Sequence, residues 1–315
     1  MSKACFVGID TSNYTTSVAV CDRDGEVIAN LKAPLPVKEG ECGLRQSDAV
    51  FAHVKNIPTL MRQLHEVIKG RQVLGVGASA RPRSVEGSYM PCFLAGVAAA
   101  ESFCAALNAP LDLFSHQDGH IMAALYSSGA SERIGGAPFA AFHVSGGTTE
   151  MLYVAPRENN FDVTQIGGTA DLNAGQAIDR AGVMMGLRFP CGKEMEALAS
   201  QFSGTVPTPR VSVKERICNL SGLQNLAEKQ YRETGDASAV SAYVFAFIGK
   251  TLQRMTEQLD ELYPDIPIVY AGGVMSNRAL QQRLGKRDHT YFAQPAFSAD
   301  NAAGIALLCR KQHMQ

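Results

Sequence analysis

The chain opens on short apolar runs separated by polar turns. "ACFVGID" ends on an acid, "TTSVAVCD" resumes the run, and "DRDGEVIANL" reverses at Asp24-Gly25 before a third one. This rhythm predicts three strands joined by tight turns. From Ser47 to Lys69 the pattern becomes helical; "QVLGVGASA" then predicts a buried strand and "PCFLAGVAAAESFCAAL" a buried helix. Glu101 and Ser102 interrupt that last run, which argues against a membrane span. Strands alternating with helices place the chain in the α/β class.

A second strand–turn–strand follows in "PFAAFHVSGGTTEMLYVA", with "NNFDVTQIGG" after it. "IDTSNYTTSVAV" and "HVSGGTTEMLYV" share one plan: an apolar strand, a small polar turn with a Thr-Thr pair, and a second strand. Thr15 and Thr148 lie 133 residues apart. A repeat at that distance predicts two related halves rather than a solenoid. The expected division is 1–135 and 136–315, with the C-terminal helix free to cross back to the first half. Within the second half, "FSGTVPTPRVSVKERICNLSGLQ" breaks periodicity and predicts an irregular, lid-like insertion near 202–225. "ASAVSAYVFAFIGKTLQRMTEQLDEL" carries an apolar stripe at helical spacing. "IPIVYAGGVMSNRALQQRL" reads as strand, glycine pair and helix, and "FSADNAAGIALLCR" as a helix started by an acid.

Composition narrows the function classes. With 315 residues, 46% hydrophobic and 19% charged, the chain can bury core for two domains. A net charge of −1 supplies no overall field for nucleic acid, leaving only local patches such as "RVSVKER" (210–216) and "RLGKRDH" (283–289), which exposed charge also explains. The eight cysteines (5, 21, 42, 92, 104, 191, 218 and 309) form no CxxC pair. They read as free thiols in a reducing compartment, with no disulfide frame or zinc ribbon. The N-terminus reaches Asp10 too soon for a signal-peptide core, so the expected location is cytoplasmic and membrane-free.

Candidate chemistry begins with three glycine-bearing turns: "VSGGTT" (144–149), "LNAGQAID" (172–179) and "YAGGVMSN" (270–277). Glycine lets backbone approach a ligand, and amides at a helix start attract phosphate oxygens. None is a Walker loop or a dinucleotide fingerprint. Each is also what tight packing of helix on sheet requires. Three in one chain, with Asp10 closing the first strand, point to a nucleotide between two halves. Asp10, Asp171, Asp179 and Asp300 all stand beside such turns; aspartates there commonly cap helices, and strand C-terminal ends are where α/β proteins bind ligands. "SHQDGH" puts His116 and His120 four residues apart, on one face if the segment is helical. A metal pair, a protease half-site and two ordinary histidines all remain open on spacing alone. The zincin pattern H-E-x-x-H is absent, because Gln117 follows the first histidine.

Seven motifs in order, "GIDTS", "SHQDGH", "HVSGGTTE", "AGQAIDRAGVMMGL", "NLSGLQN", "AGGVMSNRAL" and "FSADNAAGIA", resemble the tRNA threonylcarbamoyladenosine transferase family, formerly labelled O-sialoglycoprotein endopeptidase. The resemblance runs nearly end to end. It implies two duplicated actin/sugar-kinase-like (ASKHA) α/β domains with a nucleotide cleft between them. It implies that His116, His120 and Asp300 hold one divalent metal ion, iron or zinc. It implies nucleotide or substrate contacts at Ser145, Gly146, Gly147, Thr148, Asp171, Gly175, Asp179, Gly272, Gly273 and Asn277, for ATP, AMP or an acyl-adenylate. The implied reaction moves threonylcarbamoyl from its adenylate to the adenosine next to the tRNA anticodon, alongside protein partners of a tRNA-modification complex.

Three departures qualify that expectation. The family's first loop, E-T-S-C-D-E-T, is "DTSNYTT" here, with Tyr14 and Thr15 where acids belong, so that the chain either lacks those catalytic acids or uses Asp10 instead. The family's T-x-G-P-G turn is "SARPRSVEGS", where Arg81 and Arg83 could clamp a carboxylate or phosphate, or simply be solvated. The histidine of S-G-G-H-T is Thr148. Changed loops around a retained triad suggest a paralogue. The alternatives are a nucleotide-dependent carbamoyl transferase with a non-tRNA acceptor, and a nucleotide-binding partner protein of the modification complex.

Overall fold

The computed structural model describes residues 3–12, 14–36, 44–134 and 136–314. Asn13 of the first loop, Cys42 and Gly135 at the expected boundary lie outside them. In chain order the elements of the first stretch are β1 (Lys3–Ser12), β2 (Thr15–Asp22), β3 (Val27–Pro34), α1 (Gln46–Ile68), β4 (Arg71–Arg81), α2 (Phe93–Leu107), β5 (Leu111–Ser115) and α3 (His116–Ser127). Then come α4 (Ala130–Ile134), β6 (Phe139–Val144), β7 (Thr149–Pro156), β8 (Phe161–Thr169), α5 (Ala174–Met184), α6 (Gly192–Gln201), β9 (Ser212–Lys214), β10 (Ile217–Asn219), α7 (Ser221–Thr234) and α8 (Ala237–Leu262). The chain finishes with β11 (Ile268–Ala271), a 3-10 turn (Gly273–Ser276), α9 (Arg278–Leu284), β12 (Thr290–Phe292), α10 (Pro295–Ser298) and α11 (Ala303–His313).

These elements divide into two units. One comprises 1–127, 156–162 and 296–315; the other comprises 128–155 and 163–295. The first unit holds a five-stranded sheet in the order β3-β2-β1-β4-β5, and the C-terminal helix α11 belongs to it. β1, β2 and β3 pair antiparallel, while β4 and β5 join parallel. The second sheet contains the series β12-β11-β6-β7-β8 and adds β10 and β9 beyond β8. Read from its other end, β8-β7-β6-β11-β12 repeats the first sheet's plan, including the antiparallel β6–β7 hairpin and the parallel β6–β11 and β11–β12 pairs. The fold is thus a duplicated α/β unit.

Period-two alternation explains how the first sheet is covered on both faces. Cys5, Val7 and Ile9 of β1, with Val76 and Ala78 of β4, pack in one core cluster with Leu60 and Leu64 of α1 and Ala100 and Cys104 of α2. Among the intervening positions Gly8, Gly75 and Gly77 are without a side chain, and Phe6 is buried. A Cβ on Gly8 would strike the backbone of Ala302 and Ala306, and one on Gly77 would sit 3.0 Å from the Ile305 carbonyl oxygen. Glycine therefore lets α11 lie directly on the sheet's other face, at a cost in chain entropy that burial offsets. In the second unit the helix α8 is the spine: Val240, Val244, Ile248, Leu252, Met255 and Leu259 are all buried in its core. Asp236 caps α8, accepting from the amides of Ser238 and Ala239.

The segment expected to be irregular over 202–225 is only partly so. Residues 202–211 carry no regular structure, but Ser212–Asn219 forms the β9–β10 hairpin and α7 starts at Ser221. Glu215 and Arg216 take left-handed φ values of 51° and 65° at the turn, the backbone form that matches strand twist in tight hairpins. Parallel pairing of β10 with β8 then fixes the hairpin to the sheet edge, a long-range partner that local pattern does not reveal. No helix among the described residues is long and apolar enough to cross a membrane.

Candidate metal centre and glycine turns

The histidine pair owes its position to a helix start. Ser115 is the last residue of β5 and His116 the first of α3. The Ser115 hydroxyl accepts from the Asp118 amide at 3.1 Å, and the Asp118 carboxylate accepts in return from the Ser115 amide at 3.3 Å and hydroxyl at 2.7 Å. This is a capping box, and it satisfies amides that the helix start would otherwise leave open. The S-x-x-D spacing inside "SHQDGH" was the sequence signal for it. Asp118 is buried and also accepts from Ser84 at 2.8 Å, so the acid between the histidines is structural.

With the helix begun there, His116 and His120 fall on one face one turn apart. Their rings meet edge to face with centroids 4.3 Å apart, and the two Nε2 atoms are separated by 2.9 Å. Asp300 arrives from the loop before α11, its Oδ1 3.3 Å from His120 Nε2 and 3.7 Å from His116 Nε2. That loop is held by Asn301, which sequence reading did not single out. Its buried side chain donates to the carbonyls of Phe297 and Ala299 and accepts from the Ala303 amide. The close crossing of α11 on α3 does the rest. A Cβ on Gly304 would overlap the Gly119 carbonyl, and one on Gly119 would lie 2.8 Å from Ile305 Cδ1.

Asp10 stands behind the pair. It is 1% exposed, so no substrate reaches it. Its Oδ1 accepts from the Ser12 amide at 2.9 Å, and its Oδ2 takes the Ser79 hydroxyl and approaches His116 Nδ1 at 2.7 Å. Burial alone would raise its pKa, but His116 and the Ser79 hydroxyl hold it below the usual carboxylate value. Burial disfavours charge on His116 as well, yet Asp10, with help from Asp300, pushes it up to about 9. Asp300, against its own burial, is held low by His120 and His116. The side chains of His116, His120 and Asp300 remain 15–23% exposed, so the three donor atoms meet at a point a ligand can reach.

Two imidazole nitrogens and one carboxylate oxygen within 4.8 Å of each other suit a borderline divalent cation. The carboxylate behind a ligating histidine is the usual device for fixing its tautomer. The residues therefore fit a metal. Arg81 and Arg83 lie at and just after the end of β4, beside the start of α3, where the Gln117 amide donates to the Pro82 carbonyl. The Arg83 amide donates to the Ser88 hydroxyl at 2.9 Å. Among the described residues Arg81 makes no side-chain hydrogen bond or ion pair. Tyr14 is half-exposed at the β1–β2 turn, and its carbonyl accepts from Leu35.

The glycine turns belong to the second unit, where they form one nest. The Ser145 amide donates to the Thr148 carbonyl, and the Gly175 amide to the Ser145 carbonyl. A Cβ on Gly175 would lie 2.6 Å from Gly146 Cα, so α5 starts in contact with the first turn. Gly272 has a φ of 100°, and a Cβ there would overlap the Val144 carbonyl. The space beside Gly146, Gly147 and Gly273 is open. These turns follow β6 and β11, parallel strands whose C-terminal ends are the usual ligand edge of an α/β sheet.

Some of the polar residues expected there serve the fold. Asn277 is buried and caps α9, accepting from the Leu280 amide at 3.0 Å. Asp171 accepts from the amides of Leu172, Leu220 and Ser221 and from the Ser221 hydroxyl, tying the β8–α5 loop to the start of α7. Those bonds outweigh burial and hold its pKa well below normal. Asp179 accepts from the Cys191 amide at 2.8 Å, and burial raises its pKa despite that bond. The Thr148 amide donates to the Ser145 hydroxyl.

Known proteins resemble the chain over its whole length. It is 32% identical over 320 residues to the tRNA N6-adenosine threonylcarbamoyltransferase of Streptococcus gordonii strain Challis, covering 97% of this chain and 91% of that one. It is 29% identical over 318 residues to the enzyme of the same name from Streptococcus suis strain 05ZYH33, covering 98% and 92%. Among solved structures, a ROK family glucokinase from Streptomyces griseus, in complex with glucose and AMPPNP, superposes with a TM-score of 0.53 at 14% identity over 98% of this chain and 99% of that one. That likeness shows a sugar-kinase-like fold. The model of the tRNA N6-adenosine threonylcarbamoyltransferase family, TsaD, matches residues 38–307, and the chain belongs to that family.

Proposed function

We propose that the chain is a metal-dependent transferase that moves threonylcarbamoyl from an acyl-adenylate to an adenosine of tRNA, in the cytoplasm and with protein partners. The observation that carries the reading is the convergence of His116, His120 and Asp300, backed by a buried carboxylate. His116, His120 and Asp300 would hold the ion. Bound there, iron or zinc supplies Lewis-acid polarisation and orientation for ligand oxygens.

The chain's own groups set up the rest. Asp10 accepts the Nδ1 proton of His116 and so leaves Nε2 facing His120 and Asp300. It acts as a positioning group; its burial removes it from contact with an attacking amine. The open backbone at Gly146, Gly147 and Gly273 suits the phosphate and sugar of a nucleotide, with Gly175 and Gly272 bringing the turns together. In our reading Ser145, Thr148, Asp171, Asp179 and Asn277 shape that surface, several of them by holding backbone. Arg81, with no partner among the described residues, would offer its guanidinium to a carboxylate or phosphate of the substrate.

The test is formation of threonylcarbamoyl-adenosine on tRNA from the acyl-adenylate, with metal content measured on the same sample. Wild type should carry an ion at the triad, and His116→Ala with His120→Ala should lose that ion and the product together. Unchanged metal content in the double variant defeats the assignment. A second reading rests on Tyr14 and Thr15 standing where the family has acids. A metal-loaded wild type that binds the adenylate but leaves tRNA unmodified makes the acceptor a different molecule.

A further inference from the structure

The first unit contains a second group of convergent donors, outside the triad. Asp112 of β5 is buried, Cys309 of α11 is fully buried, and His313, the last residue of α11, has its side chain 28% exposed. Cys309 and His313 are four residues apart, so one helix face presents thiol and imidazole together. Both meet the same carboxylate oxygen: Asp112 Oδ2 lies 3.2 Å from Cys309 Sγ and 2.8 Å from His313 Nε2. The three donor atoms all lie within 4.8 Å of one another.

The sheet beneath is built to leave them room. Gly75 of β4 faces the pair; a Cβ there would sit 3.0 Å from Cys309 Sγ and 3.1 Å from His313 Cδ2. Gly77, two residues on, would bring a Cβ within 3.2 Å of Cys309 Cβ. Phe6 stacks against the His313 ring with centroids 6.2 Å apart and fixes its plane. A thiol is a weak hydrogen-bond donor, so Cys309 does little to satisfy a buried carboxylate. A cation shared by sulfur, nitrogen and oxygen satisfies all three. The end of α11, where unpaired carbonyls carry partial negative charge, favours positive charge at the same place.

We propose that Cys309, His313 and Asp112 form a second metal site, for a thiophilic borderline divalent cation of the zinc class, which clamps the end of α11 to β5. Ligands about 2.0 to 2.3 Å from such an ion stand about 3.3 to 3.7 Å apart in a tetrahedron, so the donors need to shift by under about 1 Å. On binding, the Cys309 proton leaves to solvent. The His313 ring proton moves from Nε2 to Nδ1, freeing Nε2 to ligate. His313 lies at the solvent edge, so water takes the fourth position.

Cobalt distinguishes this site from the triad, because only this one contains sulfur. Metal-free protein titrated with Co²⁺ should develop a near-ultraviolet sulfur-to-cobalt charge-transfer band that Zn²⁺ displaces, and in His116→Ala with His120→Ala that band should saturate at about one ion per chain. Cys309→Ser should abolish the band, and His313→Ala should weaken Co²⁺ binding there by about tenfold or more. His116→Ala with His120→Ala should keep the band. Either no band at saturating cobalt in the wild type, or a band that survives Cys309→Ser, overturns the proposal. Loss of the band only in the triad double variant overturns it as well.

Discussion

Two stretches of chain build both donor clusters of the first unit. The β5–α3 segment supplies Asp112, His116 and His120, and the C-terminal segment supplies Asp300, Cys309 and His313. Each cluster uses a helical pair four residues apart and one carboxylate from elsewhere. They differ in their surroundings. The triad sits at the start of α3, has Asp10 behind one histidine, and contains only nitrogen and oxygen donors. The Cys309 group sits at the end of α11, over a glycine floor, with a buried thiol and, among the described residues, no second carboxylate bonded to its histidine. One supersecondary arrangement therefore brings together a ligand-facing donor set at one end and, as proposed, a clamp at the other. Backing group and donor softness make the difference, since spacing is the same.

The largest test of that comparison acts on what the clusters share. Gly304→Ala would drive a methyl into the Gly119 carbonyl and part α11 from α3. We expect a loss of about 3 kcal/mol or more in denaturant unfolding, with the cobalt–sulfur band and triad occupancy weakened together. Loss of one without the other would mean the clusters are not coupled through this crossing. A smaller effect separates them. Asp10→Asn removes the carboxylate charge that orients His116 and should weaken metal binding at the triad by about 10- to 100-fold while leaving the cobalt–sulfur band intact. Equal binding in the variant would show that Asp10 does not position the ligand.

The smallest effect is in pH. In metal-stripped protein the His116 pKa is raised to about 9 from an ordinary value of 6.5, so its ion pair with Asp10 contributes stability that is full below about pH 6.5. That contribution fades as pH climbs through about 9, where the folded protein also loses the proton. Thermal midpoints should fall modestly across that interval, and His116→Asn should flatten the trend. A wild-type profile as flat as the variant's would mean that the Asp10–His116 pair is not charged in solution.

Much of the architecture was legible because periodicity is local. The three opening strands, the long helix from near Ser47 and the strand–turn–strand echo at Thr148 follow from spacing of two or of about four residues, and the sheets reproduce them. The histidine pair was legible for the same reason. Its capping box was present in the sequence, and so was the Cys309-x-x-x-His313 spacing, but the cysteines drew attention only as missing CxxC pairs. The hairpin at Ser212–Asn219 was not visible, since its support comes from β8, more than forty residues earlier. Nor did the letters say which polar side chains of the glycine turns hold backbone, as Asp171 and Asn277 do.

The sequence by itself determined elements, pairs and turns, because side-chain direction within one helix or strand is set by its own geometry. Only the tertiary structure decided which acid serves which pair. Asp10 meets His116 across 106 positions and Asp112 meets His313 across 201. The second meeting, like that of Asp300 with the histidine pair, depends on how closely α11 can lie on β1, β4 and α3. Gly8, Gly75, Gly77, Gly119 and Gly304 set that distance by having no side chain, a property that becomes visible only when the opposing backbone is in place.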